Sequence, residues 1–269
     1  MTPEAPDQPT NFSIAASPVR VGDNEWTLTA GTDWSQGRTL FGGLVGAAVA
    51  NAMSAPLAPD LQLRTLSVVF AAPISPGVSR ITTRVDRVGS STAFTSATVS
   101  QEGELRSRAQ AVFARTREST VTVEPTPPKM TTPFEQAPEL PYIEGVVPVF
   151  IQHFDVRWGI GDYPFTGSSQ GTLGGYLRHK PPLCGAAAVL GLLDAWPPAV
   201  LPMATGPAFA SSVSWTAHIL RDPPSDPEAW YTFRYDTVAA EQGYATIVGS
   251  LCCEGKVIAW TEQLVAVFG

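Results

Sequence analysis

Residues 183–198 read Leu-Cys-Gly-Ala-Ala-Ala-Val-Leu-Gly-Leu-Leu-Asp-Ala-Trp-Pro-Pro, and they form the most uniformly apolar segment that the fold must accommodate. Its side chains are apolar on every side, which predicts a helix buried in the protein rather than one lying on its surface. Pro197 and Pro198 end the helix, because proline cannot continue the helical hydrogen bonds. Such a helix must be wrapped by other elements, and a curled sheet can enclose it.

Asp194 is the one charged residue in this stretch, and it falls in the last predicted turn. A carboxylate there would be desolvated and close to the negative end of the helix dipole. Both effects favour the protonated form and raise the pKa, which suits a general base. The alternative is an ordinary Asp that marks the point where the helix reaches solvent.

A second helix, apolar all round and rich in small residues, is predicted from Phe41 to Met53. Gly42 and Gly43 stand at its start and would let another backbone or a ligand approach the helix N-terminus closely. Close packing alone is an equal explanation for the two glycines. The chain therefore contains two buried helices, one in each half.

Strand-like segments follow each helix, and turn signals separate them at intervals typical of antiparallel hairpins. The two halves can be superimposed, with Glu102-Gly103 matching Glu254-Gly255 and Gln110 matching Gln263. We therefore predict an α+β fold of two tandem units, each an antiparallel curled sheet around a central helix. The expected division is an N-terminal tail (1–20), a first unit (21–117), a proline-rich linker (118–148) and a second unit (149–269).

Composition limits the function classes. The chain has 269 residues, of which 44% are hydrophobic and 15% charged, as expected for a packed globular protein. The net charge of −7 argues against a nucleic acid or an anionic membrane as partner. No apolar run approaches the roughly 20 residues of a membrane helix, and the acidic, proline-containing N-terminus does not resemble a signal or transit peptide.

The cysteine pattern gives no sign of a metal site. Cys184, Cys252 and Cys253 lack the spacing of metal ligands, and an odd number of thiols, most of them in segments expected to be buried, fits a reducing cytoplasm. The histidines are scattered through the sequence. We therefore expect a cytoplasmic protein without a metal.

The layout resembles the TesB-like (type II) acyl-CoA thioesterases, which have a double hot-dog fold. In the first half the resemblance depends on Gly37-Arg38, Phe41-Gly42-Gly43, the strand from Arg64 to Pro73 and the Gln101-Glu102-Gly103 hairpin. In the second half it depends on Leu190-Gly191-Leu192-Leu193-Asp194, the strand from Ser212 to Arg221 and the strand from Ala259 to Gln263. It covers most of the chain outside the N-terminal tail and the linker.

The resemblance implies a catalytic Asp, a Ser or Thr hydroxyl and a Gln that together hold a hydrolytic water. By position these are Asp194, Ser212 and Gln263. Ser214 is an alternative for the hydroxyl and a candidate substrate-binding residue, because a slip of two residues would keep the same strand face. Gly42 and Gly43 are the candidates for polarising the thioester carbonyl.

The resemblance further implies an acyl-CoA substrate, no cofactor beyond the CoA of the substrate, and a homo-oligomer of two or more chains. A non-catalytic acyl-CoA-binding or assembly protein is the main alternative, since it would keep the same apolar tunnel. A hot-dog enoyl-CoA hydratase or dehydratase ranks below it, because those enzymes use an Asp–His pair and no His follows Asp194 at short spacing.

Overall fold

Two helices buried inside one large sheet organise the computed structural model, which describes residues 10–268. The enclosed helices are α2 (Gly42–Ser54) and α3 (Ala186–Asp194), and a short helix, α1 (Phe12–Ala15), precedes them in the chain. Every residue from Gly43 to Ala50 in α2 and from Ala188 to Leu193 in α3 is buried. The all-apolar patterns thus correspond to two enclosed helices, as predicted.

The strands are antiparallel and lie along most of the remaining chain. They are β1 (Val19–Arg20), β2 (Glu25–Ala30), β3 (Ser35–Gln36), β4 (Thr39–Leu40), β5 (Gln62–Phe70), β6 (Gly77–Val88), β7 (Thr92–Gln101), β8 (Glu104–Ala114), β9 (Phe154–Gly161), β10 (Thr172–His179), β11 (Phe209–Ile219), β12 (Tyr231–Glu241), β13 (Tyr244–Cys253) and β14 (Lys256–Phe268). Within residues 10–268, β3 and β4 pair with each other, and the other twelve form one sheet.

The order of strands in the sheet shows the duplication. One half of the sheet runs β2-β6-β7-β8-β5 and the other, read from its far side, runs β10-β12-β13-β14-β11. In the first unit β2 comes before α2 and β5 after it, and these two strands lie at opposite ends of the five. In the second unit β10 and β11 stand in the same relation to α3. β5 pairs directly with β11, so a single sheet continues from the first unit into the second.

The matching Glu-Gly pairs form equivalent hairpins. Glu102 and Gly103 connect β7 to β8 with φ of 54° and 83°, and Glu254 and Gly255 connect β13 to β14 with φ of 49° and 72°. Two successive residues with positive φ are the signature of the tight turn that fits twisted strands. Both hairpins therefore reverse the chain in the same way.

The predicted match between Gln110 and Gln263 is wrong. Gln110 is exposed on the outer face of β8, whereas Gln263 is buried on the inner face of β14. The alignment of the two strands was off by an odd number of residues, and an odd shift moves a side chain to the other face of a sheet.

Parts of the predicted tail and linker are packed against the units. In the tail, Phe12 is only 3% exposed and contacts the face of α3 at Gly191. In the linker, the backbone N–H groups of Thr131 and Leu140 donate to carbonyls of β9. The segment boundaries themselves stay predictions, and residues 1–9 of the tail and Gly269 of the second unit lie outside the described residues.

Among residues 10–268, no helix combines the length and the apolar character that crossing a membrane requires.

Candidate functional site

Asp194 is the last residue of α3, and its carboxyl group meets the first turn of α2. A Cβ built on Gly42 would lie 2.8 Å from Asp194 Oδ2, and the backbone N–H of Gly43 is near enough to favour the ionised carboxylate. The residue before α2 is Phe41, whose side chain cannot cap the free N–H groups of the helix. A carboxylate from the other unit therefore occupies the capping place.

Burial raises the pKa of Asp194 from its ordinary value of 3.8 to about 7, and the hydrogen bond from Gln263 and the nearby N–H of Gly43 oppose this rise only in part. The residue keeps a small exposed surface although its carboxyl group is enclosed by protein. The carboxylate is thus divided between its two protonation states near neutral pH. That is the range in which a general base works best.

Gln263 connects Asp194 to a hydroxyl group. Its Nε2 donates to Asp194 Oδ1 at 2.6 Å and to the hydroxyl oxygen of Tyr235 at 3.0 Å. Its Oε1 accepts from Ser212 Oγ at 2.8 Å. The side chain is 3% exposed, so the amide is held inside the sheet rather than facing solvent.

Ser212 and Ser214 do not share a face, and the prediction that they do is wrong. Ser212 pairs with Val265 and Ser214 pairs with Leu264, so Val213 is the extra residue of a β-bulge. The bulge shifts the alternation by one residue. Ser212 therefore lies on the inner face, and Ser214 lies on the outer face beside its second strand partner, Val69.

The structure thus brings five of the predicted site residues together and leaves one out. Asp194, Ser212 and Gln263 form one hydrogen-bonded chain, and Gly42 and Gly43 lie against the carboxylate. Ser214 is not part of this group. Phe70 adds an apolar wall, since its Cζ lies 3.3 Å from the Cβ position of Gly42.

Tyr235 is the site residue that sequence reasoning missed. Its hydroxyl group contacts Gln263 and donates to the backbone carbonyl of Leu193 at 2.9 Å. In the sequence it appears as one of three inward-facing aromatic residues of β12, with Tyr231 and Phe233. Nothing in an alternating aromatic strand distinguishes a polar contact from ordinary core packing.

The histidines are engaged elsewhere. His153 stacks on Trp34 with its Nε2 3.2 Å from the carbonyl oxygen of Asp33, and His179 Nε2 lies 2.9 Å from the carbonyl oxygen of Ala188. His218 is exposed on the outer face of β11. In the part of the chain that the structure describes, no group of His, Cys, Asp and Glu is arranged to hold a metal ion.

Surface depressions also occur on the first unit, away from this group. One is lined by the β7–β8 hairpin with Val78 and Arg80, and another by residues of β6, β7 and β8 that include Arg84 and Arg108. Neither contains Asp194, Ser212 or Gln263.

The group around Asp194 can orient a small polar molecule. Asp194 Oδ1 accepts a hydrogen bond from the Gln263 amide. Asp194 Oδ2 and the free lone pairs of Ser212 Oγ remain able to accept hydrogen bonds from another molecule. The adjacent N-terminus of α2 places positive potential beside the carboxylate. A base, an acceptor and a site of positive potential are the parts that water-mediated acyl transfer needs.

Comparisons with known proteins agree with this architecture. The family model described as "Acyl-CoA thioesterase C-terminal domain" matches residues 133–267, and that described as "Acyl-CoA thioesterase N-terminal domain" matches residues 31–114. No curated protein matches the chain in sequence.

Solved structures resemble the chain over nearly its whole length. A conserved hot dog fold protein of unknown function from Alicyclobacillus acidocaldarius has a TM-score of 0.85 at 24% identity, covering 96% of this chain and 98% of that one. A putative thioesterase II from Thermobifida fusca has a TM-score of 0.80 at 21% identity, covering 97% and 98%. The acyl-CoA thioesterase II TesB2 of Mycobacterium marinum has a TM-score of 0.76 at 16% identity, covering 96% and 98%. The predicted double hot-dog fold is confirmed.

Proposed function

The chain belongs to the acyl-CoA thioesterase family, and we propose that it hydrolyses an acyl-CoA thioester to a free carboxylic acid and CoA with a water activated by Asp194. The observation that carries the proposal is the chain of hydrogen bonds from Ser212 through Gln263 to Asp194. Residues from two strands and a helix converge there on one carboxylate whose pKa is raised to about 7.

The water is held between Asp194 and Ser212. It donates one hydrogen to the carboxylate and the other to Ser212 Oγ, which leaves a lone pair directed at the thioester carbonyl. Asp194 takes the proton as the new C–O bond forms. The tetrahedral intermediate then collapses, the C–S bond breaks, and the proton passes from Asp194 to the CoA sulfur, so that acid and thiol are the only products.

Charge that develops on the carbonyl oxygen is stabilised by the start of α2. The N–H of Gly43 favours the ionised form of Asp194, and the N–H at Gly42 together with the positive end of the helix dipole is assigned to the oxyanion. Gly42 and Gly43 have no side chains, so the substrate can also approach the start of this helix closely.

We further propose that the reaction needs no cofactor, since CoA is part of the substrate, and that the protein acts in the cytoplasm as a homo-oligomer. The thiols of Cys184, Cys252 and Cys253 are free, which fits a reducing compartment. The net charge of −7 gives no support to a nucleic-acid partner.

Thiol release from a panel of acyl-CoA substrates of different chain length tests the proposal. We expect release by the natural protein and its loss by at least about a thousandfold in Asp194→Asn, because the amide cannot take a proton. Asp162→Asn, which changes an exposed Asp after β9, is the matched control and should leave the rate unchanged. Acyl-CoA binding without release at any chain length would instead indicate the non-catalytic binding protein.

A further inference from the structure

The hydroxyl group of Tyr235 is placed between the Gln263 amide and the helix that carries Asp194. It lies 3.0 Å from Gln263 Nε2 and 2.9 Å from the carbonyl oxygen of Leu193, the residue before Asp194. The ring is 1% exposed, so water does not compete for these contacts. Thr261, which accepts from Trp215 Nε1 at 2.6 Å, is a further polar neighbour of the hydroxyl.

The direction of these hydrogen bonds follows from the number of hydrogens available. A carbonyl oxygen can only accept, so the single hydrogen of the Tyr235 hydroxyl is used on Leu193. Toward Gln263 the tyrosine oxygen must therefore accept. Only the nitrogen end of the amide satisfies that requirement, and the same nitrogen faces the carboxylate of Asp194.

The orientation of the amide in turn sets the role of Ser212. With both hydrogens of Nε2 used on Asp194 and Tyr235, Oε1 faces Ser212 and accepts its hydroxyl hydrogen. Ser212 has no second hydrogen to offer. Its oxygen can only accept from a molecule in the site.

We propose that Tyr235 is a positioning residue that fixes the Gln263 amide in one orientation, so that Ser212 presents an acceptor to the reacting water. The inference rests on the proposed function and deepens it. A water between two acceptors must direct both hydrogens away from the substrate and a lone pair toward it. Since Gln263 occupies Oδ1, the proton taken from the water is received by Oδ2.

The effect of Tyr235 on the orientation of the Gln263 amide is largest after Asp194 has become protonated. A neutral carboxyl group can donate to an amide oxygen, so it no longer selects the nitrogen end of Gln263. Tyr235 still does, because burial raises the pKa of its hydroxyl and its hydrogen stays on Leu193. The amide orientation is thereby kept through the whole cycle.

Tyr235→Phe tests the proposal, because it removes one oxygen atom and keeps the ring. We expect kcat to fall about tenfold while KM changes by less than about twofold, as for the loss of a single positioning hydrogen bond. Tyr231→Phe is the matched control, since it removes the hydroxyl of another buried tyrosine on the same strand. That variant should keep its kcat.

A double-mutant cycle separates positioning from general loss of structure. If Tyr235 acts through Gln263, Tyr235→Phe should lower kcat in the natural protein but change it less than about twofold in a Gln263→Ala background. An equal loss in both backgrounds, or an unchanged kcat in the single variant, would overturn the inference. Either result would leave the thioesterase proposal in place if Asp194→Asn is inactive.

The orientation can also be measured without turnover, so the inference remains testable if no acyl-CoA is hydrolysed. In ¹⁵N-labelled protein the side-chain amide protons of Gln263, assigned by their loss in Gln263→Ala, should both exchange slowly. Tyr235→Phe should release one of them and speed its exchange at least about tenfold. Identical exchange of both protons in the two proteins would count against a positioning role.

Discussion

Asp194 Oδ2 lies 2.8 Å from the point that a Cβ atom would occupy at Gly42, although the two residues belong to different structural units. No side chain larger than hydrogen fits at residue 42 unless the carboxylate moves. The glycine is therefore required by the close approach of another group and not by its own backbone angles, which lie in the ordinary helical region.

Gly42→Ala should disable the site while leaving the fold intact. The added methyl group would push the carboxylate away by a fraction of an ångström. Since a misplacement of about 1 Å costs about a hundredfold in rate, we expect thiol release to fall about tenfold or more. Stability should change little, because alanine is the better helix former. Thiol release and thermal unfolding check both parts, with Gly206→Ala as control, since a Cβ there meets nothing within 4 Å.

Activity should rise with pH up to a plateau. The proposed reaction needs the ionised form of Asp194, whose pKa is raised by burial to about 7. We therefore expect kcat/KM to increase about tenfold per pH unit below pH 7 and to level off above it. A profile measured from pH 5 to pH 9 that is flat throughout would rule out this carboxylate as the base.

The same pKa predicts a gain in stability when the charge is removed. Between pH 4 and pH 7 the folded protein holds a proton on Asp194 that the unfolded chain releases, so stability falls as pH rises through this range. Asp194→Asn has no ionisable group at this position, so this fall in stability with pH does not occur in the variant. Its midpoint of thermal unfolding should exceed that of the natural protein at pH 8, and the difference should shrink toward pH 4.

Ser212→Ala and Ser214→Ala should differ in kcat, although the two residues are only two positions apart on one strand. Ser212 donates to Gln263 on the inner face, and its loss should lower kcat about tenfold or more. Ser214 lies on the outer face beyond the bulge, and its loss should change kcat less than about twofold. Equal rates for the two variants would contradict the assignment of Ser212.

Gln263→Glu should shift the pH profile upward. A second carboxyl group in the place of the amide that contacts Asp194 Oδ1 disfavours ionisation of both groups at once, so the pair retains a shared proton. The midpoint of kcat/KM should therefore move above pH 7, and activity at neutral pH should fall. Gln110→Glu is the matched control, because that glutamine is exposed on the outer face of β8. Its profile should coincide with that of the natural protein.

The architecture could be read from the sequence because it depends on patterns that act over many residues. An all-apolar helix has to be enclosed, and the regular turn signals after each helix indicate antiparallel hairpins. The interior of the Leu183–Pro198 stretch became α3, which begins after Gly185 and ends at Asp194. The charged residue that interrupts the apolar run thus marked the end of the helix.

The register of individual strands depends on single residues, and the alternation of apolar and polar residues along a strand does not reveal them. The bulge at Val213 separates Ser212 from Ser214, and its position follows from how β11 pairs with β14 rather than from a turn residue. The mismatch of Gln110 with Gln263 has the same origin, a shift of one residue in register. The contact of Asp194 with Gly42 joins distant parts of the chain and has no local signature.

The inner face of β8 carries Ser107, Ala109, Ala111 and Phe113, so the strand that corresponds to β14 has no carboxamide there. Of the two units, the second therefore supplies Asp194, Ser212 and Gln263, and the first supplies the start of the helix that meets the carboxylate. The proposed chemistry therefore predicts one acyl group per polypeptide, and substitutions on the inner face of β8 should affect activity less than substitutions of Gln263 on β14.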